Sequence, residues 1–202
     1  MHNKYSVINI KDILKKGSKA EEELIRQISN FSSRYKEEVE ISDVEKFLKN
    51  NAIEFTKKQQ SVTYLVLSNN DASLLGYFAI TIKPINIRYD SVDSNRMRSK
   101  IARVSELEGT KGIYTLSAYL IAQLGKNYAN KKHKEFSGTE LLNITLESIY
   151  DMQYRAGGMV VFLESEKKDE LMHFYIDENG FKKFDTKMGK ENVELVQLLK
   201  IL

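Results

Sequence analysis

Apolar residues in this chain follow one rhythm over its first third and another beyond it. Residues 20–31 carry Leu24, Ile25 and Ile28 at the spacing of a helix face, and Ser42-Asp43 caps a second helix with Val44, Phe47, Leu48 and Ala52 along one side. From residue 62 the rhythm changes. Residues 62–67 read as a strand, Asn69-Asn70-Asp71 as a turn, and 74–82 as the partner strand of a hairpin, with Gly76 near its start. Residues 116–124 form an apolar run of strand length, expected to be buried on both faces. Leu142, Leu146, Ile149 and Gln153 then fall along one stripe of a helix. Residues 159–164 (Met-Val-Val-Phe-Leu-Glu) read as a second buried strand, and 169–179 as a helix closed by Gly180 in a left-handed conformation.

The remaining segments are less regular. Residues 7–14 alternate weakly and read as a first strand or a lead-in. Residues 86–112 are polar, with a helical pattern around Met97, Ile101 and Val104, as for a helix inserted over one sheet edge. A tail strand follows from Phe181, and 193–202 reads as helical or extended. Helices, hairpin, strand–helix–strand–helix and tail, in that order, predict an α/β fold with a mixed sheet. The sheet begins antiparallel and ends in a parallel crossover whose mouth lies at strand C-termini.

Composition narrows the class. A chain of 202 residues, 42% hydrophobic and 29% charged, is expected to form a single soluble domain over 1–202. The absence of cysteine excludes disulfides, thiolate metal sites and a cysteine nucleophile. The N-terminus has no apolar signal region and no apolar run approaches about 18 residues, so a cytoplasmic protein without a membrane span is expected. A net charge of +3 is compatible with an anionic cofactor or with RNA and demands neither.

Candidate chemistry gathers where the 116–124 strand ends. Gln123-Leu124-Gly125-Lys126-Asn127 leads through a loop holding Lys131, Lys132, His133 and Lys134 to Ser137-Gly138-Thr139-Glu140-Leu141-Leu142, a glycine-opened helix start. The first amides of a helix lack intrahelical partners and its dipole adds about half a positive charge there, so such a joint suits a phosphate.

These residues resemble the GNAT N-acetyltransferases. Residues 123–127 are similar to the family's strand end, where Arg-Leu-Ala-Val-Asp is common, and Phe136-Ser137-Gly138-Thr139-Glu140-Leu141-Leu142 to its Gly-x-Gly-x-x-Leu-Leu pyrophosphate loop. Leu163-Glu164, then Leu171-Met172-His173-Phe174-Tyr175 and Asn179-Gly180-Phe181, resemble the segment ending Phe-Tyr-x-x-x-Gly-Phe. With the Leu75-Gly76-Tyr77 hairpin the resemblance covers about residues 31–185. Phe31-Ser32, Val44 to Leu48, Ala52 and Thr63-Tyr64-Leu65 resemble one branch, which includes the acetyltransferase toxins that modify aminoacyl-tRNA. The chain departs from the pattern at four points. Gln123 stands where arginine is frequent, Phe136 replaces the first loop glycine, and the loop is longer by several residues. The interval from Tyr175 to Gly180 is one residue longer, so that counting back from Gly180 reaches Ile176 instead.

The resemblance implies a GNAT-like mixed central sheet, with an antiparallel N-terminal hairpin and a parallel, splayed strand pair, flanked by helices. It implies acetyl-CoA as co-substrate. Leu124, Gly125, Lys126 and Asn127 would be cofactor-binding residues, with Leu124 and Lys126 offering backbone groups to the pantetheine arm, and the amides near Ser137, Gly138 and Thr139 would hold the pyrophosphate. Tyr175 would protonate the leaving thiolate, and Glu164 would be the general base, directly or through water. Ordinary roles compete with each of these: core packing for Tyr175, a solvated strand end for Glu164, close packing for Gly138, a solvated loop for the lysines, and surface positions for His133 and His173. With three histidines and no cysteine, no metal site is expected.

The leading expectation is direct transfer of acetyl from acetyl-CoA to a primary amine. The alternatives are toxin-type acetylation of aminoacyl-tRNA and a non-catalytic module that binds CoA or a partner. A tRNA, an antitoxin and a second copy of the chain in a homodimer stay open as partners; a membrane does not.

Overall fold

Residues 4–33, 42–92, 94–129, 134–189 and 192–202 are described by the computed structural model. Its sheet grows from the predicted hairpin. Strand β1 (Tyr5–Asn9) pairs antiparallel with β2 (Val62–Ser68), and β2 with β3 (Leu74–Arg88). The β2–β3 register ends at Val62–Ile80, which leaves Pro84 beyond it, where its missing N–H breaks no bond to β2. Next in the sheet come β5 (Ile113–Lys126), with the two-residue β4 (Leu107–Glu108) on it, then β6 (Val160–Glu166), β8 (Glu194–Ile201) and β7 (Lys182–Met188). Among the described residues only β5 and β6 run parallel, in register from Tyr119–Val161 to Ile121–Leu163. Both strands run on past that point, β5 to Lys126 and β6 to Glu166.

The chain divides into two compact units. The first comprises Met1–Thr81 and Ala122–Glu147. Its helices are α1 (Ile10–Ile13), α2 (Lys19–Ile28), α3 (Asp43–Asn50) and α4 (Ala52–Lys57); the first three begin where polar side chains satisfy free amides, and α4 follows α3 without a side-chain cap. Ser18 and Glu21 form a reciprocal capping box on α2, and the Ser42 hydroxyl accepts from the Glu45 amide on α3. Ile25, Phe31, Phe47, Leu48, Leu65 and Tyr77 are buried together in its core. Each such side chain contributes about 1.5–3 kcal/mol by leaving water.

The second unit comprises Ile82–Ile121 and Ser148–Leu202. Ile87, Ile101, Leu116, Val160, Phe162 and Leu199 anchor its core. Helix α5 (Asn95–Ile101) covers part of that core with Ile101 and the half-buried Met97. Helix α6 (Gly138–Ala156) begins in the first unit and ends in the second, and buries Leu142, Leu146 and Ile149 as its stripe predicts. Helix α7 (Asp169–Met172) runs into a wider π-turn over His173–Glu178.

Some sequence expectations are corrected by the structure, and two left open are decided by it. The 7–14 segment is two elements, because the Asn9 side chain accepts from the Lys11 amide and turns the strand into α1. Val104 is 47% exposed, since α5 ends at Ile101. The expected burial of β5 on both faces holds only in part: Thr115 and Ser117 face solvent, Ala118, Tyr119 and Ile121 are buried, and 122–124 are half-buried. Residues 193–202 are extended: β8 inserts between β6 and β7, antiparallel to both. A short apolar run has no decisive period of its own, and here the two flanking edges select the strand.

Candidate active site

At the end of β5 the chain makes a tight joint. A Cβ on Gly125 would lie 2.5 Å from Val44 Cγ1 and 2.9 Å from both the Phe31 and Tyr77 rings. One on Gly76 would lie 2.8 Å from the Gly125 carbonyl oxygen. Both glycines are therefore required by packing. The Tyr77 hydroxyl donates to the Val44 carbonyl, with Gln123 Oε1 a weaker second acceptor at 3.5 Å. Burial holds the Tyr77 phenol far above its ordinary pKa.

Asn127, predicted as a cofactor-binding residue, is 1% exposed and spends its whole side chain on the backbone. Its Nδ2 donates to the carbonyls of Asn30 (2.8 Å) and Leu74 (2.9 Å), and its Oδ1 accepts from the amides of Ser32 and Ala129, both at 3.0 Å. That is the full capacity of an amide side chain. It ties the segment after α2 to the start of β3 and the end of β5.

The start of α6 is held as firmly. Ser137 and Glu140 form a capping box: Glu140 N donates to Ser137 Oγ at 3.0 Å, and Ser137 N to Glu140 Oε2 at 2.7 Å. The box leaves the Gly138 and Thr139 amides, the first two of the helix, outside its own hydrogen bonds. From β1 the Tyr5 hydroxyl donates to Glu140 Oε1 at 2.8 Å, while its ring meets the buried Phe136 edge-on at 5.1 Å. Burial, then the Glu140 bond and charge, push the Tyr5 phenol up to about 12. Lys126 reaches over the Tyr128 ring, with its pKa drawn down by burial and partly restored by Glu140. Leu124 is half-buried. Lys134 is exposed, and Lys131, Lys132 and His133 lie outside the described residues.

In the second unit, Glu164 is committed to its neighbours. Lys187 approaches Oε2 to 2.6 Å, and Gln197, opposite Glu164 in the register, donates to Oε1 at 2.8 Å. His173 is exposed beside Asp177 (2.9 Å) and Glu178 (3.4 Å). Tyr175 differs from both. Its ring packs against Phe174 and Phe181, at 4.9 and 5.9 Å, and part of it reaches the surface. No hydrogen bond engages its hydroxyl among the described residues, and burial pushes its phenol up to about 12.

The helix holding Tyr175 ends in an unusual cap. In a common left-handed cap, the N–H two residues beyond the helix-ending residue bonds the carbonyl five positions back. Here Gly180 (φ 70°) takes the left-handed position, but Phe181 N bonds the Tyr175 carbonyl six positions back, at 2.9 Å. The π-turn absorbs the extra residue. Asn179 Nδ2 donates to the Phe174 carbonyl at 2.7 Å, and Lys200 of β8 donates to the Asn179 carbonyl at 2.8 Å, placing a cation at the helix C-terminus.

Neither a protein-family model nor a curated protein sequence matches the chain. Solved structures do. AtaT complexed with acetyl-methionyl-tRNAfMet superposes with a TM-score of 0.62 at 11% identity, covering 95% of this chain and 93% of that one. A Tyr→Phe mutant of KacT gives a TM-score of 0.62 at 14% identity, covering 98% and 95%. A Tyr→Phe mutant of the AtaT toxin, bound to the C-terminus of the antitoxin AtaR and acetyl-CoA, gives 0.55 at 10% identity, covering 98% and 94%.

The chain has the GNAT fold. At these identities the likeness is one of fold, and the residues must be read from their own geometry. Of the predicted residues, Leu124 to Asn127 and Ser137 to Thr139 fall in the first unit of this fold, Glu164 and Tyr175 in the second. Tyr5, Glu140 and the Lys126 side chain were missed. The Ser-x-x-Glu spacing of 137–140 signals Glu140, whereas nothing local signals Tyr5, 135 positions away. Among the described residues no group of three or more His, Cys, Asp or Glu is placed to hold a metal, and no helix is long and apolar enough to cross a membrane.

Proposed function

We propose that this protein is an acetyl-CoA-dependent N-acetyltransferase whose acceptor is the amino group of an aminoacyl-tRNA. One observation carries the reading: the chain shares its fold over 95% of its length with AtaT complexed with acetyl-methionyl-tRNAfMet. The neighbour holding both acetyl-CoA and an antitoxin segment supports the same co-substrate, and an antitoxin as partner. The tRNA acceptor is thereby favoured over the broader small-amine reading.

The donor set fits the co-substrate. Gly138 and Thr139 offer two helix-terminal amides to a diphosphate, and Lys126 a half-buried cation on the adjoining strand end. Asn127 and Gly125 hold that joint rigid, and their contribution is to position the backbone of Leu124 and Lys126. Acetyl-CoA supplies a thioester, an acyl group already activated for attack by an amine. The amine nitrogen bonds the acyl carbon, the carbon–sulfur bond breaks, and the sulfur takes a proton. Tyr175 is the residue we assign to that proton. Its carbonyl accepts the Phe181 amide as the tyrosine of an unlengthened Tyr-x-x-x-Gly-Phe cap would, which favours Tyr175 over Ile176 as the family's tyrosine. Its hydroxyl has no competing acceptor among the described residues, and at about 12 its pKa keeps it protonated at neutral pH.

The base is the weaker half of the chemistry. Glu164 is bound to Lys187 and Gln197, so we assign it a cross-strand structural role. An aminoacyl ester needs little help: an α-amino group has a pKa of about 8, against about 10.4 for lysine, and is appreciably neutral at pH 7. After attack the nitrogen's surplus proton leaves to water, and water returns a proton to the Tyr175 oxygen, which restores the donor.

The test is to incubate the protein with radiolabelled acetyl-CoA and charged tRNAs. Acetylated aminoacyl-tRNA with matching thiol release is the expected result. Turnover on free amines alone would return the acceptor to a small molecule, and CoA binding without thiol release would leave a non-catalytic module.

A further inference from the structure

Several cations on the early helices have acids close by, although Lys11, Lys19 and Lys46 have no ion pair among the described residues. Arg26 of α2 pairs with Glu22 (3.5 Å), Lys49 of α3 with Glu45, and Lys57 of α4 with Glu22 (2.8 Å). Helix α5 has no such pair among the described residues. It carries Arg96, Arg98 and Lys100, with Arg103 in the turn that follows, and residues 94–104 include no acid. Among the described residues, Arg96, Lys100 and Arg103 have no ion pair. Their four-residue and three-residue spacings put them on one stripe, in steps of roughly 5–6 Å, away from the Met97 and Ile101 face. Like charges so spaced repel and weaken the helix, which makes the stripe costly unless something anionic covers it.

The charge is local. Four cations in this segment exceed the chain's net +3, so the remainder is slightly acidic. Arg98 leaves the stripe and lays its guanidinium 4.4 Å over the ring of Tyr89, which is 43% exposed, while its buried Nε has no partner among the described residues. Val104 is the one large apolar side chain exposed in 94–104, too little for a protein-docking helix that anchors by its apolar face. Arginine-rich charge beside a half-exposed aromatic suits a nucleic-acid strand better.

We propose that the α5 stripe docks the phosphate backbone of the RNA acceptor, with Arg96, Lys100 and Arg103 each neutralising a phosphate and the Arg98–Tyr89 pair beside them as a stacking surface. The choice of RNA rests on the functional reading above; the stripe itself does not. The spacing is comparable to that of successive phosphates along a strand. Contacts of this kind orient the acceptor without reading its sequence.

The test uses the full-length protein, end-labelled unfractionated tRNA and fluorescence anisotropy across a salt series. Three or four phosphate contacts give a log–log salt slope of about −3 and roughly a hundred-fold weakening between about 50 and 200 mM salt. The triple variant Arg96→Glu, Lys100→Glu, Arg103→Glu should weaken tRNA binding at least about ten-fold and flatten the slope by two to three, about one per lost contact. A milder set with alanine at the same positions should show the same direction, with the melting temperature of both variants not lowered and their calorimetric acetyl-CoA affinity unchanged. Unaltered tRNA affinity in both variants overturns the proposal. So does a preference of the native chain for poly-glutamate over tRNA, which would assign the stripe to an acidic protein. Loss of acetyl-CoA binding in the native chain, with stripe-dependent tRNA binding intact, would sink the enzymatic reading alone.

Discussion

At the end of β5, Asn127 has both amide protons and both carbonyl lone pairs engaged, and Gly125 has no space for a methyl group. On the π-turn, Tyr175 is locked through its backbone carbonyl and its ring neighbours, while its hydroxyl is left over. Both residues sit in segments that resemble family motifs, and they use their polar atoms in opposite ways. The first spends them on rigidity and the second holds one in reserve. An unspent hydroxyl in a crowded setting is what a proton donor requires, and a fully spent amide is what a scaffold requires. On the proposed function, the two motifs therefore mix a residue that does chemistry with residues that hold the chemistry still.

Four substitutions would break or sharpen that contrast. Asn127→Ala has the largest expected effect, and on stability: it strands two amides and two carbonyls, each worth about 1–3 kcal/mol when buried unpaired. Chemical denaturation should show a loss above about 3 kcal/mol; a loss below about 1 kcal/mol would mean that water replaces the side chain and the joint is not rigid.

Tyr175→Phe should do the reverse, leaving the melting temperature in place and lowering kcat by about a hundred-fold. The native pH profile bears on the same residue. A donor works while protonated, and burial raises this phenol to about 12, so kcat should show no alkaline fall from Tyr175 below about pH 10. A limb at about 9 that vanishes in the phenylalanine variant would contradict the burial.

Tyr5→Phe removes the outer bond to Glu140 and should raise KM for acetyl-CoA a few-fold at constant kcat. The same residue links stability to pH. In the fold Tyr5 holds its proton to about 12, against 10 for the ordinary phenol, so its contribution is complete below about pH 10 and falls as pH rises towards 12. Melting curves of Tyr5→Phe should lose less stability across that window than the native chain. Equal losses would assign the alkaline melting to other tyrosines.

Glu164→Gln should have the smallest effect. The Lys187 pair is part-exposed and worth about 0–1 kcal/mol, and an amide still accepts from Gln197. Activity within about two-fold is expected, and a hundred-fold loss would restore Glu164 as the base.

The hairpin, the α6 stripe and the Gly180 cap were legible along the chain because each is local: a turn beside strand residues, a helical period, a residue tolerating positive φ. The candidate site was legible only through its motif. Sequence pattern named Gly125 and Asn127 as cofactor residues, and only the surrounding Phe31, Val44, Tyr77, Ser32 and Leu74 reveal what they do. Glu164 looked available because its partners, Lys187 and Gln197, lie on strands whose pairing no local pattern discloses.

What the amino-acid order determined by itself was every feature set by neighbours within a turn or two: the periods, the caps and the one-residue lengthening before Gly180. What tertiary structure alone decided was how those features are used. Inserting β8 between β6 and β7 brought Lys200 to the carbonyl at the helix end and Gln197 to Glu164. Pairing β1 with β2 brought Tyr5 to the start of α6. Such contacts join residues far apart in the chain, and their free energy comes from burial and hydrogen bonds that exist only once the sheet is assembled.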